Sequence, residues 1–570
     1  FNSGLYCVKY PFYPFDGGYF IESDYTEIRL AEIIYSQAEC LLRLGQAGEA
    51  GKLLNSVRKR NYENFTADIA YQPEGNVVLD LKEMLDEWGR EFLAESRRRT
   101  DLIRFGRCQE DYEMVDPPMI TDYDDDLDEE VVLQKGLESY FVTQFGEGDM
   151  DGTSWDQAMD VAGFRKLLSG SIDLSKSTIY MSQGKYVMSE TGGLGVIIRK
   201  DIKAIKGGYS LLSEGTDLTN RRIDTYKTVI SGDVNGNNQA DSGDCGLLLV
   251  KGGIIGIEGV TFQYGYLSNN DAKSNECGSG IYINGNVNST SVELTDCIIR
   301  DCKTEAVNGQ GGVAGGTAIL IASGSSKLNN VKFLDNAADS RGGAIRCNSN
   351  KAVVFMNNCL ITGNSVRELF GVGIQISSGH ICMNNTTIVG NPGKGAALNG
   401  GGSFMLANST IVGHDIDQEY GAFRCETSID GDTKFINNLL ISENSTAPSF
   451  ILNGANKEAY SMGYNLYQRV NNFTMGVSDT AYPTLVNGNL TEEGVYKWNI
   501  DQIGQVGGYA TKQAVINAVK SFNPAASPMV NLGEVFVEWM GEDAFGLDQR
   551  GVTRNPDKMQ MGAYDAVLSN

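Results

Sequence analysis

An asparagine returns at an almost regular interval through the middle of this chain. It sits just before short apolar or hydroxyl-bearing runs: Leu328-Asn329-Asn330-Val331, Met356-Asn357-Asn358-Cys359, Met383-Asn384-Asn385-Thr386, Leu406-Ala407-Asn408-Ser409 and Ile436-Asn437-Asn438-Leu439. Aligned on Asn330, Asn358, Asn385, Asn408 and Asn438, the repeats are 28, 27, 23 and 30 residues long, and Asp296 fits the same slot one turn earlier. Each repeat closes on a polar corner (Asp335-Asn336, Gly363-Asn364, Gly390-Asn391, Gly413-His414, Glu443-Asn444). A second short run follows, opened by small residues, as in Gly342-Gly343-Ala344-Ile345, Gly371-Val372-Gly373-Ile374, Lys394-Gly395-Ala396-Ala397 and Tyr420-Gly421-Ala422-Phe423. Repeats of this length, with strand-length apolar runs and Gly or Asn corners, form solenoids. Three short strands per turn, each stacked on its copy in the next, give a right-handed parallel β-helix. Asn suits the corners because it tolerates left-handed backbone and its amide bonds to the amide above it. A leucine-rich repeat would need a regular leucine frame, which is missing. Roughly ten turns at a strand spacing of ~4.8 Å make a rod of about 50 Å.

Of 45 Asn, 23 fall within 251–450 and none between Asn76 and Asn220, so the repeat has a definite address. Glycine, 68 of 570 residues, is also in excess, while 41% hydrophobic residues are ample for large cores and exclude global disorder. The formal charge of −25 argues against general nucleic-acid binding, which needs a basic footprint. No apolar run reaches the ~18 residues of a membrane-spanning helix. The chain opens Phe1-Asn2-Ser3 without a Met or a leader, as a processed or truncated front would, and this is no argument for a cytosolic home. Its 11 Cys are scattered without CxxC or zinc spacing. Those inside strand-like runs, such as Cys347 and Cys359, read as buried free thiols, and a Cys297–Cys302 pair stays open. Two His in the whole chain leave little material for a His-rich metal site or a His-based triad.

The front of the chain is of another kind. Leu30, Ile33, Ile34, Ala38, Leu41 and Leu42 follow a helical period over Glu27 to Leu44, with Gly45 as a stop. Ala47 to Arg60 repeats the pattern with Ala50, Leu53, Leu54 and Val57, which predicts an antiparallel helix pair of tetratricopeptide style. Leu79 to Ala94 is a third helix. Arg97, Arg98 and Arg99 invite a nucleic-acid reading, but Glu87, Glu91, Glu95 and Asp101 close by favour intramolecular ion pairs. From Glu110 to Glu130 come eleven carboxylates and no Lys or Arg. That predicts a solvated linker held extended by self-repulsion, with divalent-cation capture by Asp122 to Asp128 as the alternative. The expected domains are a helical piece over 1–108, a linker over 109–139 and the β-helix over 140–570.

Several blocks carry resemblances. Ile28-Arg29-Leu30-Ala31-Glu32, Tyr35, Ala38-Glu39, Leu54-Asn55-Ser56-Val57-Arg58, Arg90-Glu91-Phe92-Leu93-Ala94-Glu95, Arg99 and Asp101-Leu102-Ile103-Arg104 with Gly106 resemble the C-terminal part of SusD/RagB-family proteins. Those are outer-membrane lipoproteins that bind nutrients, usually glycans, at the surface of certain Gram-negative bacteria. The likeness covers about a fifth of the chain and brings over no ligand residues. Phe141-Val142, Gly146, Asp149, Asp151-Gly152-Thr153-Ser154-Trp155 and Ala158 resemble the opening module of secreted bacterial β-helix proteins of pectate-lyase-like fold, implying a capping helix over about Trp155 to Leu168. Ser527-Pro528, Asn531-Leu532-Gly533, Asp548-Gln549-Arg550-Gly551 and Met561-Gly562-Ala563-Tyr564-Asp565 resemble their closing segment. Phe333-Leu334-Asp335-Asn336 with Gly342-Gly343-Ala344-Ile345 is similar to repeats of polymorphic outer-membrane proteins.

For chemistry, Asp233, Asn235, Asn237, Asp241 and Asp244 place oxygens at loop positions 1, 3, 5, 9 and 12, the spacing of an EF-hand or dockerin calcium loop. Asn238 stands where such loops carry a turn glycine and Asp244 where they carry a bidentate Glu, and no helix flanks the loop. The candidates are a Ca²⁺ site and a merely polar β-helix loop. A lyase would need a base and a cation facing a uronate, and a hydrolase two carboxylates at a set distance. Arg341, Arg346, Arg367 and Arg424 lie in the repeats, with Arg346 and Arg424 in equivalent second-strand slots. Asp335, Glu368, Asp415, Asp417 and Glu419 show no fixed pairing, and His380 and His414 read as surface residues. Phe1 to Tyr25 holds nine aromatics that suit either a sugar platform or packing. The expectation is a non-catalytic glycan- or nutrient-binding protein of the outer-membrane surface. It would bind a polysaccharide or oligosaccharide beside a TonB-dependent SusC-like transporter and meet the membrane only through a lipid anchor. A polysaccharide lyase or hydrolase, and a structural or adhesive rod, are the alternatives.

Overall fold

The computed structural model describes residues 13–15, 18–20, 30–62, 64–92, 101, 105, 136–268, 278–305, 315–339, 341–367, 371–393, 395–413, 420–425, 433–443, 447–452, 459–471, 475, 478–481, 488–492, 494–498 and 509–565. The acidic run 109–130, Arg97 to Arg99, and the side chains of the aromatic set in Phe1–Tyr25 lie outside them. The chain divides into two compact units, Phe1–Leu127 and Asp128–Asn570.

In the first unit, helices Leu30–Arg43 and Ala47–Arg58 are joined by a tight turn at Gly45, whose φ of 74° is left-handed. The third helix starts at Leu81 rather than Leu79, because the Asp80 carboxylate caps it by accepting the Glu83 N–H at 2.7 Å. The buried face of the first helix also differs from expectation. Ala31, Tyr35 and Ala38 enter the core, whereas Leu30 and Ile33 are exposed. Tyr35 wins its place by closing edge-on against Trp88 and Phe92 and donating to Glu87 Oε1 at 2.9 Å. Arg58 donates to Glu87 Oε2 at 2.6 Å and to the Tyr71 hydroxyl at 2.7 Å, while Trp88 Nε1 donates to Glu39 at 2.9 Å. Asn55 clamps Tyr71 by both backbone groups, at 2.9 and 2.8 Å. The polar residues of this segment are thus a structural knot that fixes how the helices meet.

The second unit is the parallel β-helix. Eleven short strands, from Gly184–Val187 to Thr480–Ala481, stack in parallel into one sheet. Their register puts Tyr186, Ile230, Phe262, Ile299, Phe333, Ile361, Ile388, Ile411, Leu440 and Tyr467 in a single inward column. All ten are buried, and each such side chain withdrawn from water is worth about 1.5–3 kcal/mol. A four-stranded sheet from Tyr266–Ser268 to Ser365–Val366 forms a second wall. The third wall carries long bent strands, Leu248–Glu258, Ile319–Asn329, Ile345–Asn357 and Ile374–Asn384. Gly253, Gly324 and Gly379 stand at the bends with φ of 93°, 120° and 116°, which side chains rarely adopt.

The asparagine period is the device that stacks the turns. Asp296, Asn330, Asn358, Asn385 and Asn408 all hold left-handed backbone, as expected. In the last repeat the left-handed residue is Asn437, not Asn438. Asn438 sits one place on, in a column whose Oδ1 accepts Ser409 N–H and whose amide donates to Asn465. Amide-to-amide bonds run Asn357 to Asn329, Asn384 to Asn357, Asn408 to Asn384 and Asn437 to Asn408, at 2.8–3.0 Å. A second buried ladder joins Asn336, Asn364 and Asn391 at 2.8 and 3.0 Å. Cys245, Cys297, Cys302, Cys347, Cys359, Cys382 and Cys425 are buried free thiols. Burial pushes Cys245, Cys297, Cys302 and Cys359 up to about 12, so they stay protonated and inert.

The capping helix is Val161–Ser169, with Asp160 capping it through the Gly163 N–H and Phe164, Leu167 and Leu168 plugging the core. The described part of the C-terminal segment packs on the side of the β-helix. Its helices Lys512–Lys520 and Leu532–Met540 lie on the flank, where Val515, Ile516, Phe536 and Phe545 cover the outward row Val353, Phe355, Cys382, Met405 and Ile436. Arg554 pins it there. This fully buried guanidinium donates to Asn385 Oδ1 and to the carbonyls of Leu547, Gln560 and Gly562.

Candidate functional site

The loop Asp233 to Asp244 follows the strand Thr228–Ser231. Asp233 and Asp244 are buried at its base, while Asn235, Asn237 and Asp241 face outward. Asp244 Oδ1 accepts from Val234 N–H at 3.0 Å and its Oδ2 from Asp241 N–H at 3.0 Å. Asn235 and Asn237 both donate to the Asp241 carboxylate, at 2.9 and 2.7 Å. Asn238 adopts the left-handed φ of 58° that a turn glycine would supply, and its N–H donates to Asp233 Oδ2. The same oxygen pairs with the Lys185 ammonium. Burial pushes the Asp233 carboxyl up, but Lys185 and the Asn238 N–H outweigh burial and hold it below its ordinary range. Its Oδ1 is buried and makes no hydrogen bond. The five predicted residues therefore share one loop, with Asp241 drawn to the two Asn amides. Among the described residues no group of three His, Cys, Asp or Glu side chains converges as a metal cluster.

Arg346 and Arg424 do share a face. The register runs Arg346, Gln375, Asn399, Arg424 from rung to rung. Asn399 donates to Gln375 Oε1 at 2.9 Å, and the Arg424 guanidinium lies 4.7 Å from the Tyr420 ring centroid. Arg367 pairs with Asp339 at 2.7 Å. Glu368, Asp415, Asp417, Glu419 and His414 lie outside the described residues. His380 corrects the sequence expectation, being only 2% exposed. It stands in the bend of the long strands, where the distant Ala526 comes to line the same cleft, a contact no local pattern announces. Aromatic side chains of the second unit stack inside, as in Phe141–Trp155 and Phe423–Phe450, and among the described residues Tyr62, Phe145 and Tyr509 are exposed aromatics on separate segments.

Comparison with known proteins separates the two regions. Residues 2–140 match the SusD family, and residues 230–412 match the right handed beta helix region. The starch-binding protein SusD of Bacteroides thetaiotaomicron is 38% identical over 111 residues, 19% of this chain and 18% of that protein. The chain therefore spans less than a fifth of that relative's length. Among solved structures, pectate lyase Pel9A aligns over 77% of this chain and 95% of its own, at 11% identity and a TM-score of 0.30.

Proposed function

We propose that this chain, a SusD-like segment followed by a parallel β-helix, binds glycan at the outer-membrane surface for nutrient uptake, without catalysing its breakdown. The observation that carries the reading is the SusD match of the first unit, including 38% identity to a protein named for starch binding. On this reading its partners are a polysaccharide or oligosaccharide and a TonB-dependent SusC-like transporter, with membrane attachment through a lipid anchor. A second reading, a polysaccharide lyase or hydrolase, is favoured by the half-buried Arg346 and Arg424, cations that the register sets on one face with the buried Gln375 and Asn399 between them.

One experiment separates them. The protein is run through immobilised neutral and uronate polysaccharides while the eluate is assayed for unsaturated and reducing-end products. Retention without products is expected. Product release would replace the binder with the enzyme, and no retention on any matrix would leave only a structural rod.

For the loop we propose Ca²⁺, held by Asp233 and Asp244 with side-chain oxygens of Asn235, Asn237 and Asp241. The buried Asp233 Oδ1 without a donor supports this, since an orphaned carboxylate oxygen is costly and a hard cation relieves it. Calorimetric titration with CaCl₂ should give saturable heat. Asp241→Asn, which spares the Lys185–Asp233 pair, should weaken binding on the order of tenfold. Absence of heat at millimolar Ca²⁺ would leave the loop merely polar.

A further inference from the structure

The bend in the long strands creates a cleft that the function above does not use. It spans three successive rungs, has a volume of ≈ 280 Å³, and is lined by Asn350, Ser378, His380 and Ser403, with Ala526 of the C-terminal segment on one side. Gly379 and Gly402 make room for it. A Cβ on Gly402 would meet the Gly379 carbonyl oxygen at 2.3 Å, so this part of the wall is backbone without side chains. At this size it lies near the small end of ligand pockets, about 300–1,000 Å³, with room for one ring rather than a chain segment.

Two of its buried groups lack partners. His380 Nε2 lies 3.2 Å from the Asn350 carbonyl oxygen, which can only accept, so Nε2 carries the proton. Nδ1 of the neutral ring is then an acceptor, and no hydrogen bond reaches it. Ser403 is 1% exposed, and its hydroxyl also makes no hydrogen bond. The two residues are direct neighbours on adjacent rungs. Burial holds the imidazole below its ordinary value against the opposing pull of the Asn350 and Ala526 backbones, in keeping with a neutral ring. Among the described residues no charged side chain lines the cleft. A uronate carboxylate placed there would be desolvated without a counter-charge, at a cost of several kcal/mol. A neutral sugar hydroxyl, donor and acceptor at once, answers both orphaned groups.

We propose that this cleft is a subsite for a single uncharged sugar residue, gripped through its hydroxyls by His380 Nδ1 and Ser403 Oγ. It rests on the glycan-binding reading and adds a ligand class and an address to it.

The test uses the full chain labelled at histidine Cε1 with ¹³C. Two His give two signals, and His380→Gln identifies that of His380. Titration with neutral hexoses and their short oligomers should shift the His380 signal saturably and leave His414 unmoved. Glucuronate and galacturonate should bind at least tenfold more weakly. Ser403→Ala should weaken the neutral sugar at least fivefold, and Ser378→Phe, at the half-buried mouth of the cleft, should abolish the shift. No shift with any neutral sugar would mean ordered water alone occupies the cleft, and that overturns the proposal. An equal response to uronates, or full binding by Ser378→Phe, also overturns it. Polysaccharide retention by the same protein is scored separately. Retention without a His380 shift sinks the cleft alone, whereas a shift without retention sinks the polysaccharide-binding reading alone.

Discussion

The two units solve the same problem, polar groups inside a core, by opposite means. The helical unit buries charge. Glu87 accepts from Tyr35, Arg58 and Arg90, and the next carboxylate to Arg58, that of Glu83, stands farther off at 3.9 Å. The β-helix buries neutral amides in columns, where each Asn is bonded to a copy of itself in the next turn. A charged knot is a single point of failure, because removing one partner strands a desolvated ion. A ladder divides the same task among equivalent members, so a loss is felt mainly by the adjacent turns.

The largest predicted effect follows from that contrast. Glu87→Ala leaves the buried Arg58 guanidinium with only the more exposed Glu83 carboxylate 3.9 Å away and should cost the first unit about 3–5 kcal/mol. Hydrogen exchange should show residues 30–92 losing protection while the β-helix rungs keep theirs. Protection unchanged within the helices would mean the knot is not their keystone. Asn364→Ala is the matching test of the ladder. Asn364 Oδ1 accepts from the backbone and side chain of Asn336, and its amide donates to Asn391 Oδ1 and to the carbonyl of Phe333. Truncation leaves buried groups unpaired at about 1–3 kcal/mol. The loss of protection should centre on the turns that carry Asn336 and Asn391. Uniform loosening from Tyr140 to Tyr467 would show that the ladder acts as one cooperative unit and would break the comparison.

What could be read from the residues alone divides along the same line. The β-helix was legible because its physics is periodic: Asn330, Asn358, Asn385 and Asn408 mark corners by spacing before any contact is known. The slip at Asn437 and Asn438 came from two adjacent Asn that satisfy the same pattern, and only the stacking partners distinguish them. The helix pair was legible from its period, but its buried face was not, because Tyr35 is drawn inward by Trp88, Phe92 and Glu87 from a later helix. The same reason hid His380. Its cleft is completed by Ala526, more than a hundred residues away, and no local pattern reports such closure. The loop Asp233 to Asp244 was visible by spacing, whereas the Lys185 that neutralises its first carboxylate comes from another rung.

That lysine sets up the smallest and most discriminating prediction. Neutral ladders contribute nothing to pH dependence near the acid limit, so acid sensitivity in the early turns belongs to their few buried carboxylates. Asp233 is held low against its burial by Lys185 and the Asn238 N–H. Glu258 is likewise held low against burial by Arg221 and Lys206. A carboxyl whose folded pKa lies below its unfolded value binds fewer protons folded than unfolded. Its stabilising contribution is complete above the unfolded value, about 4, and falls away as pH drops through the folded value. Rungs near Asp233 and Glu258 should therefore loosen below about pH 4, while the ladder turns from Asn336 to Asn391 hold. Lys185→Met removes the ammonium and leaves burial to dominate Asp233, so the local loss should begin at higher pH than in the unaltered protein. Exchange protection of residues 228–245 measured from pH 3 to 7 reads both effects. An unchanged acid profile in Lys185→Met would mean the backbone donors alone hold the Asp233 carboxylate, and that charge matters as little in these turns as it does in the ladder.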